Sequence, residues 1–212
     1  MSIDDNERLT LLRSLRGYAE RIGNTGADGA SEQSQQIAPC AKEAACLQCP
    51  HAGVQVPLAA KGPEKAQLWV VMDAANGDDV SCDFPITGEA REMFEKMMEH
   101  VLGLSTSQIH VVNAVRCSAA SGKKSAQEAC SDRLLEEISQ EKPSWVLAMG
   151  GAALRALTKS DANISSVRGE WMDVSGVPIL VTFHPRYLVR APGHKRLVFQ
   201  DLQALKARME TI

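Results

Sequence analysis

The chain has 212 residues, enough for one domain with a full core and an appendage. Hydrophobic residues make up 44% and charged residues 23%, with a net charge of −3, which reads as a globular protein and excludes a surface coated in basic charge. A nucleic-acid partner would therefore need a local basic patch.

The opening residues, Met-Ser-Ile-Asp-Asp-Asn-Glu, are acidic where a secretory signal is basic. No apolar stretch is long enough to span a bilayer, so the expected location is the cytoplasm, with no membrane partner. In that compartment six cysteines are better explained as metal ligands or buried thiols than as disulfides.

Leu11, Leu12, Leu15, Tyr18, Ala19 and Ile22 fall on one face of a predicted amphipathic helix over residues 1–22, a surface that could receive a protein partner. Residues 23–40 are nearly all small or polar and read as a flexible linker, and the folded domain is expected over 41–212. Residues 67–72 form a short apolar run of strand type. A helix follows from Gly88 to Leu102, with Ala90, Met93, Phe94, Met97 and Val101 at helical spacing and Gly103 placed to end it. Residues 109–112 make a second strand. Ser125-Ala-Gln-Glu128 has the form of a capping box opening a helix to about Glu141. Residues 145–149 make a third strand, followed by Gly150-Gly151 and a helix through Leu157. Residues 178–183 make a fourth, and the last helix is expected from about His194 to Met209. This alternation implies a three-layer α/β/α domain around a central, mostly parallel four-stranded sheet.

In open parallel sheets ligands bind outside the carboxyl ends of the strands. The residues at those ends are Asp73, Asn113, Gly150-Gly151 and His184, so an acid, an amide, a glycine turn and an imidazole are expected around one crevice. Asp and Asn are also ordinary turn residues wherever a strand stops.

Cys46-Leu-Gln-Cys49-Pro50 is a close pair, and Cys117 and Cys130 lie far downstream with twelve residues between them. Two thiolates at short spacing grip one metal, and two from a remote segment complete a four-thiolate set. A redox pair would open a helix in a thioredoxin-like unit, which is not evident here. Zinc usually takes two tight knuckles, so the loose second pair tilts the choice toward iron–sulfur. Cys40 and Cys82 are left over, Cys40 as a substitute ligand.

Together these features resemble the family 4, iron–sulfur uracil-DNA glycosylases, from about Cys46 to Leu205. The cysteines match in order and approximate spacing. Val111-Val-Asn-Ala-Val-Arg-Cys117 resembles the family's strand that ends in Asn and runs on to a basic residue and Cys. Met149-Gly-Gly-Ala-Ala-Leu-Arg-Ala-Leu157 resembles its glycine turn and helix, Arg168-Gly-Glu-Trp171 its Arg-Gly-x-Trp segment, and Thr182-Phe-His-Pro-Arg-Tyr-Leu-Val-Arg190 its Thr-Tyr-His-Pro-Ala-Tyr-Leu-Leu-Arg motif. The departures fall in the catalytic motif. The family's Gly-Glu-Ala-Pro-Gly is here Met72-Asp73-Ala74-Ala75-Asn76, and its Gly-x-Pro-Phe-Val-Gly is Asp83-Phe84-Pro85-Ile86-Thr87-Gly88.

The resemblance implies a uracil-DNA-glycosylase-like fold and a 4Fe–4S cluster on Cys46, Cys49, Cys117 and Cys130, with zinc as the alternative. It implies hydrolysis of the N-glycosidic bond of a base flipped out of single- or double-stranded DNA. His184 would face the uracil oxygen, Asn113 would read the base edge, and Asp73 would stand in for the family's Glu. Asp79 falls on the acidic position near the base's 5-position, Ile86 replaces the stacking Phe, and Met72 and Ala74 would flank the base. The Met72 side chain is expected to fill space or to enter the pocket. Arg186, Arg190, Lys195 and Arg196 form an acid-free cationic strip suited to a phosphate backbone, with Arg116 and Lys123-Lys124 as extensions. Two functions are consistent with these residues: a glycosylase for uracil or another deaminated base, or a non-catalytic relative that binds DNA or a protein through the old scaffold.

Overall fold

The computed structural model describes residues 57–118 and 124–211. The predicted N-terminal helix and linker, Cys40, and the Cys46–Cys49 pair lie outside the described residues, as does Lys123.

Strands β1 (Leu68–Met72), β2 (His110–Asn113), β3 (Trp145–Met149), β4 (Trp171–Val174) and β5 (Val177–Thr182) form one sheet in the order β2-β1-β3-β5-β4. The pairings of β1 with β2, β1 with β3, and β3 with β5 are parallel. The four expected strands are thus the parallel part of the sheet. A fifth strand, β4, adds antiparallel to β5, so the expected four-stranded sheet is corrected to five strands. Ser175 and Gly176 close that hairpin with φ of 56° and 81°, the left-handed pair required by a two-residue turn matched to strand twist.

Side chains on the parallel strands alternate between two cores. Leu68, Val70, Met72, Val111, Leu147, Met149 and Leu180 face one apolar cluster. It is covered by α2 (Gly88–Met97, continued by a π-helical turn, Met98–Leu102), α6 (Pro185–Arg190) and α7 (Lys195–Met209). Trp69, Val71, Val112, Val146, Ala148, Ile179 and Val181 face the other. Leu134 and Ile138 of α3 (Lys124–Glu141) and Leu154 and Leu157 of α4 (Gly151–Thr158) complete it, with Ile164 and Val167 of α5 (Ile164–Val167) packed against it. Both faces are buried, which is why these strands are continuous apolar runs. Gly103 ends the π-helical turn in the left-handed conformation, as its position predicted.

Two local expectations are corrected. Ser125 is the second residue of α3 and not a cap preceding it. The capping box among the described helices is at α1 (Gly77–Ser81), where the Asn76 side chain accepts from the Asp79 amide and the Asp79 carboxylate accepts from the Asn76 amide. The outer edge of β2 is covered by residues 57–61, through Lys61 N–H to the Val111 carbonyl at 2.9 Å and the reciprocal bond at 2.8 Å. That covering blunts an exposed strand edge.

The Arg-Gly-Glu-Trp segment has a structural task. Arg168 forms an ion pair with Asp201 of α7, whose side chain is 2% exposed, and Thr182 Oγ1 donates to the same carboxylate at 2.6 Å. Removing the guanidinium strands a buried charge. Arg168→Ala is therefore expected to lower stability by about 3–5 kcal/mol, read as a fall in the urea midpoint. Arg168→Ala combined with Asp201→Asn is expected to recover part of that loss.

Candidate functional site

The carboxyl ends of β1, β2, β3 and β5 bring Asp73, Asn113, Gly150-Gly151 and His184 to one end of the sheet. The order reverses at β1 and β3, the topological position at which parallel sheets open a ligand crevice.

Asp73 spans that position. Its Oδ1 accepts from the Ala152 amide at 2.8 Å and the Ala153 amide at 3.2 Å, so the carboxylate caps the N-terminus of α4. Burial raises its pKa above the ordinary carboxylate value, opposed by those two amides and by Arg155 and Arg186. Gly150 makes the approach feasible. It has φ of 109°, and a Cβ there would lie 2.3 Å from Asp73 Oδ2.

Asn113 ends β2 almost fully buried. Its Nδ2 donates to the Asp73 carbonyl at 3.0 Å and the Pro85 carbonyl at 2.8 Å. Two carbonyl partners fix the orientation of the amide, and among the described residues Oδ1 is left buried with no partner.

His184 follows β5 and caps α6, with Pro185 at the first helical position. Its Nδ1 accepts from the Arg186 amide at 3.1 Å, which places the proton of the neutral ring on Nε2. Burial, then Arg186 and Arg190, push its pKa down to about 3. Among the described residues Nε2 is buried without a partner. The site therefore holds one unused N–H donor and one unused carbonyl acceptor, in a class of group that native proteins rarely leave unmatched.

Asp79 is completely buried and accepts from the Asn76 amide, from Thr87 Oγ1 at 3.0 Å, and from Arg186 at both oxygens. Arg186 thus belongs to an ion pair tying α1 to α6, and not to an open cationic strip. Met72 and Ile86 are fully buried in the core with Met149, Phe183 and Leu188. Ala74 packs instead beside Val115 and Ala126, where Cys117 and Cys130 also pack. Two of the four proposed ligand cysteines therefore meet at one small cluster. Among the described residues no group of three or more His, Cys, Asp or Glu is placed to hold a metal ion.

Arg190, Lys195 and Arg196 are exposed. Arg116 is 7% exposed and paired with Glu137, so its expected place in the strip is corrected: the desolvated guanidinium is held by a carboxylate of α3. The Asp79–Arg186 pair escaped sequence reasoning. Its signal was an arginine where the resembled motif has alanine, but nothing in the chain linked it to a residue 107 positions away.

The uracil DNA glycosylase superfamily profile matches residues 61–203. A type-4 uracil-DNA glycosylase of Thermotoga maritima is 24% identical over 170 residues, covering 76% of this chain and 88% of the relative. One of Saccharolobus solfataricus is 23% identical over 162 residues, covering 71% and 75%. A type-5 uracil-DNA glycosylase of Pyrobaculum aerophilum is 29% identical over 87 residues, covering 39% and 38%.

Two outcomes follow from the electrostatics. Arg186→Ala leaves the buried Asp79 carboxylate without its cation and is expected to cost about 3–5 kcal/mol. Adding Asp79→Asn is expected to restore part of it, so that a double-mutant cycle on urea midpoints gives a coupling well above zero. His184 has a folded pKa below its unfolded value, so below about 6.5 the unfolded chain binds a proton that the folded one refuses. Its contribution to stability is present above that pH and is lost as pH falls toward about 3. The wild type is therefore expected to lose more stability than His184→Gln between those limits, measured by melts at stepped pH.

Proposed function

Because the chain belongs to the uracil DNA glycosylase superfamily, as a divergent relative of its type-4 members, we propose that it is a DNA-repair glycosylase that hydrolyses the N-glycosidic bond of a flipped uracil or related deaminated base. The observation that carries this reading is the pair of buried, unmatched polar atoms at the strand ends, His184 Nε2 and Asn113 Oδ1.

Each matches a demand of the reaction. The bond breaks toward a cationic sugar and an anionic base. A neutral imidazole with its proton on Nε2 donates to the base oxygen on which charge develops, and its depressed pKa keeps it neutral at working pH. Asn113 Oδ1 accepts from a ring N–H. A carbonyl acceptor meets the imide N–H of uracil favourably and the lone pair of cytosine N3 unfavourably, which selects deaminated bases. Asp73 is anchored through Oδ1 by two amides, leaving Oδ2 to orient water or to face the developing positive charge on the sugar. Arg190, Lys195 and Arg196 supply phosphate contacts beside the site.

Cys46, Cys49, Cys117 and Cys130 would hold a 4Fe–4S cluster. Supporting this are their spacing and the shared packing of Cys117 and Cys130 against Val115 and Ala126. The cluster would pin the N-terminal segment to the segment after β2, and the hydrolysis transfers no electrons through it.

A second reading, a non-catalytic relative that binds DNA or a protein partner, is favoured by one feature. Met72 and Ile86 are sunk in the core and the two unmatched atoms are closed to solvent, so a base reaches them only if the residues packed around them shift. Among the described residues no helix is long and apolar enough to cross a membrane.

Single-turnover assays on uracil-containing single- and double-stranded oligonucleotides test the proposal. Base release by the wild type is expected, reduced roughly 10²- to 10³-fold in His184→Ala, the cost of removing one oxyanion donor. No release, with salt-dependent DNA binding retained, would establish the second reading. For the cluster, anaerobically purified wild type is expected to be brown, and Cys117→Ala insoluble. A soluble, folded, colourless Cys117→Ala protein would rule out the pinning role.

A further inference from the structure

Phe199 is 47% exposed, the only large hydrophobic side chain left exposed among the described residues. It lies in the second turn of α7, the helix that follows α6 and the short 3₁₀ turn Pro192–His194 away from the His184 end of the sheet. On a helix, residues three and four apart are neighbours, so Arg196 and Lys195 flank Phe199 on either side, and both are exposed. Helical side chains lean toward the N-terminus, so the Phe199 ring leans toward the start of α7 and the Pro192–His194 turn before it.

Along the chain the charge next to this ring has one sign. Residues 184–200 contain no acidic residue, and the next one, Asp201, is buried and committed to Arg168 and Thr182. The inner face of α7 is accounted for by Val198, Leu202 and Leu205 in the core, and the Phe199 ring is not part of that cluster. An exposed aromatic ring between cations is the arrangement that receives an unpaired base on the ring and its phosphates on the flanks. A duplex offers no free base face at that height, since its bases are stacked on one another.

We propose that Phe199, with Lys195 and Arg196, is a stacking platform for single-stranded DNA, holding an unpaired base beside the crevice and giving this chain a preference for single strands over duplex. The proposal rests on the crevice being a DNA-repair site, because it takes the strand entering that crevice as its ligand.

Fluorescence anisotropy with undamaged single-stranded and duplex oligonucleotides, over a salt series, tests the platform without requiring cleavage. Phe199→Ala is expected to weaken single-strand binding by roughly ten-fold or more, while leaving duplex binding and the salt slope unchanged. Phe199→Trp is expected to retain single-strand affinity, with its added fluorescence quenched on binding. Lys195→Ala and Arg196→Ala are each expected to lower the single-strand salt slope by about 0.7. Unchanged single-strand affinity in Phe199→Ala, equal losses on both DNA forms, or no DNA binding by the wild type would overturn the platform. So would a change in sedimentation coefficient in Phe199→Ala, which would mark the ring as a contact between copies of the chain. The two proposals fail separately. Uracil release with Phe199-independent binding removes the platform and keeps the reaction, whereas Phe199-dependent binding without uracil release keeps the platform and removes the reaction.

Discussion

The Asp73 carboxylate rests on the first amides of α4, and that contact joins the ends of β1 and β3 where the strand order reverses. It sets several neighbouring choices at once. Residue 150 must lack a Cβ, because the carboxylate occupies that space. The backbone of Asp73 then presents its carbonyl to Asn113 Nδ2, which among the described residues leaves Asn113 Oδ1 as a buried acceptor without a partner. A shorter acid than the glutamate of the resembled motif is drawn back toward the helix terminus. Its Oδ1 is committed to capping, and the role proposed for it in the reaction would fall on Oδ2.

Two acids near the crevice illustrate how environment separates like groups. Asp73 keeps no direct cationic partner, and burial dominates its titration despite the amides and the more distant Arg155 and Arg186. Asp79 is buried more completely yet receives an arginine, a threonine hydroxyl and an amide. Arg186 connects this to the imidazole, since its amide fixes the His184 tautomer while its side chain is held by Asp79. The same cation, with Arg190, disfavours a charged imidazole. One residue thus couples α1 to the protonation state of His184 at the cap of α6, and a neutral imidazole with its N–H on Nε2 results from burial and local charge together.

Much of this arrangement was legible in the chain. The runs 67–72, 109–112, 145–149 and 178–183 are apolar on both faces, and that is a demand of a sheet covered by helices on each side. Once they were ordered by the βα alternation, Asp73, Asn113, Gly150 and His184 had to fall at one end of the sheet. β4 was not legible, because Trp-Met-Asp-Val is a short, half-buried edge strand whose only local mark is the Ser175-Gly176 turn. The short helix α6 was missed for a related reason: six residues carry too little periodicity to register, although Pro185 at its first position was a cue. Ser125 met the pattern of a cap without being one, since the pattern describes three side chains and not where the preceding backbone leaves the helix.

The amino-acid sequence by itself determined which chemical groups were available and at which strand ends they stood, because periodicity and turn residues are local properties of the chain. Only the tertiary structure decided what each group does there. Arg186 could be assigned to phosphate from its neighbours in sequence, but it is bound by a carboxylate 107 residues away. Arg116 likewise looked free until α3 brought Glu137 to it. The imidazole of His184 became a neutral donor, and Met72 and Ile86 became core, through burial among elements that sequence spacing does not bring together. Partnership and desolvation arise from contacts between distant segments, so they exist only once the chain has packed.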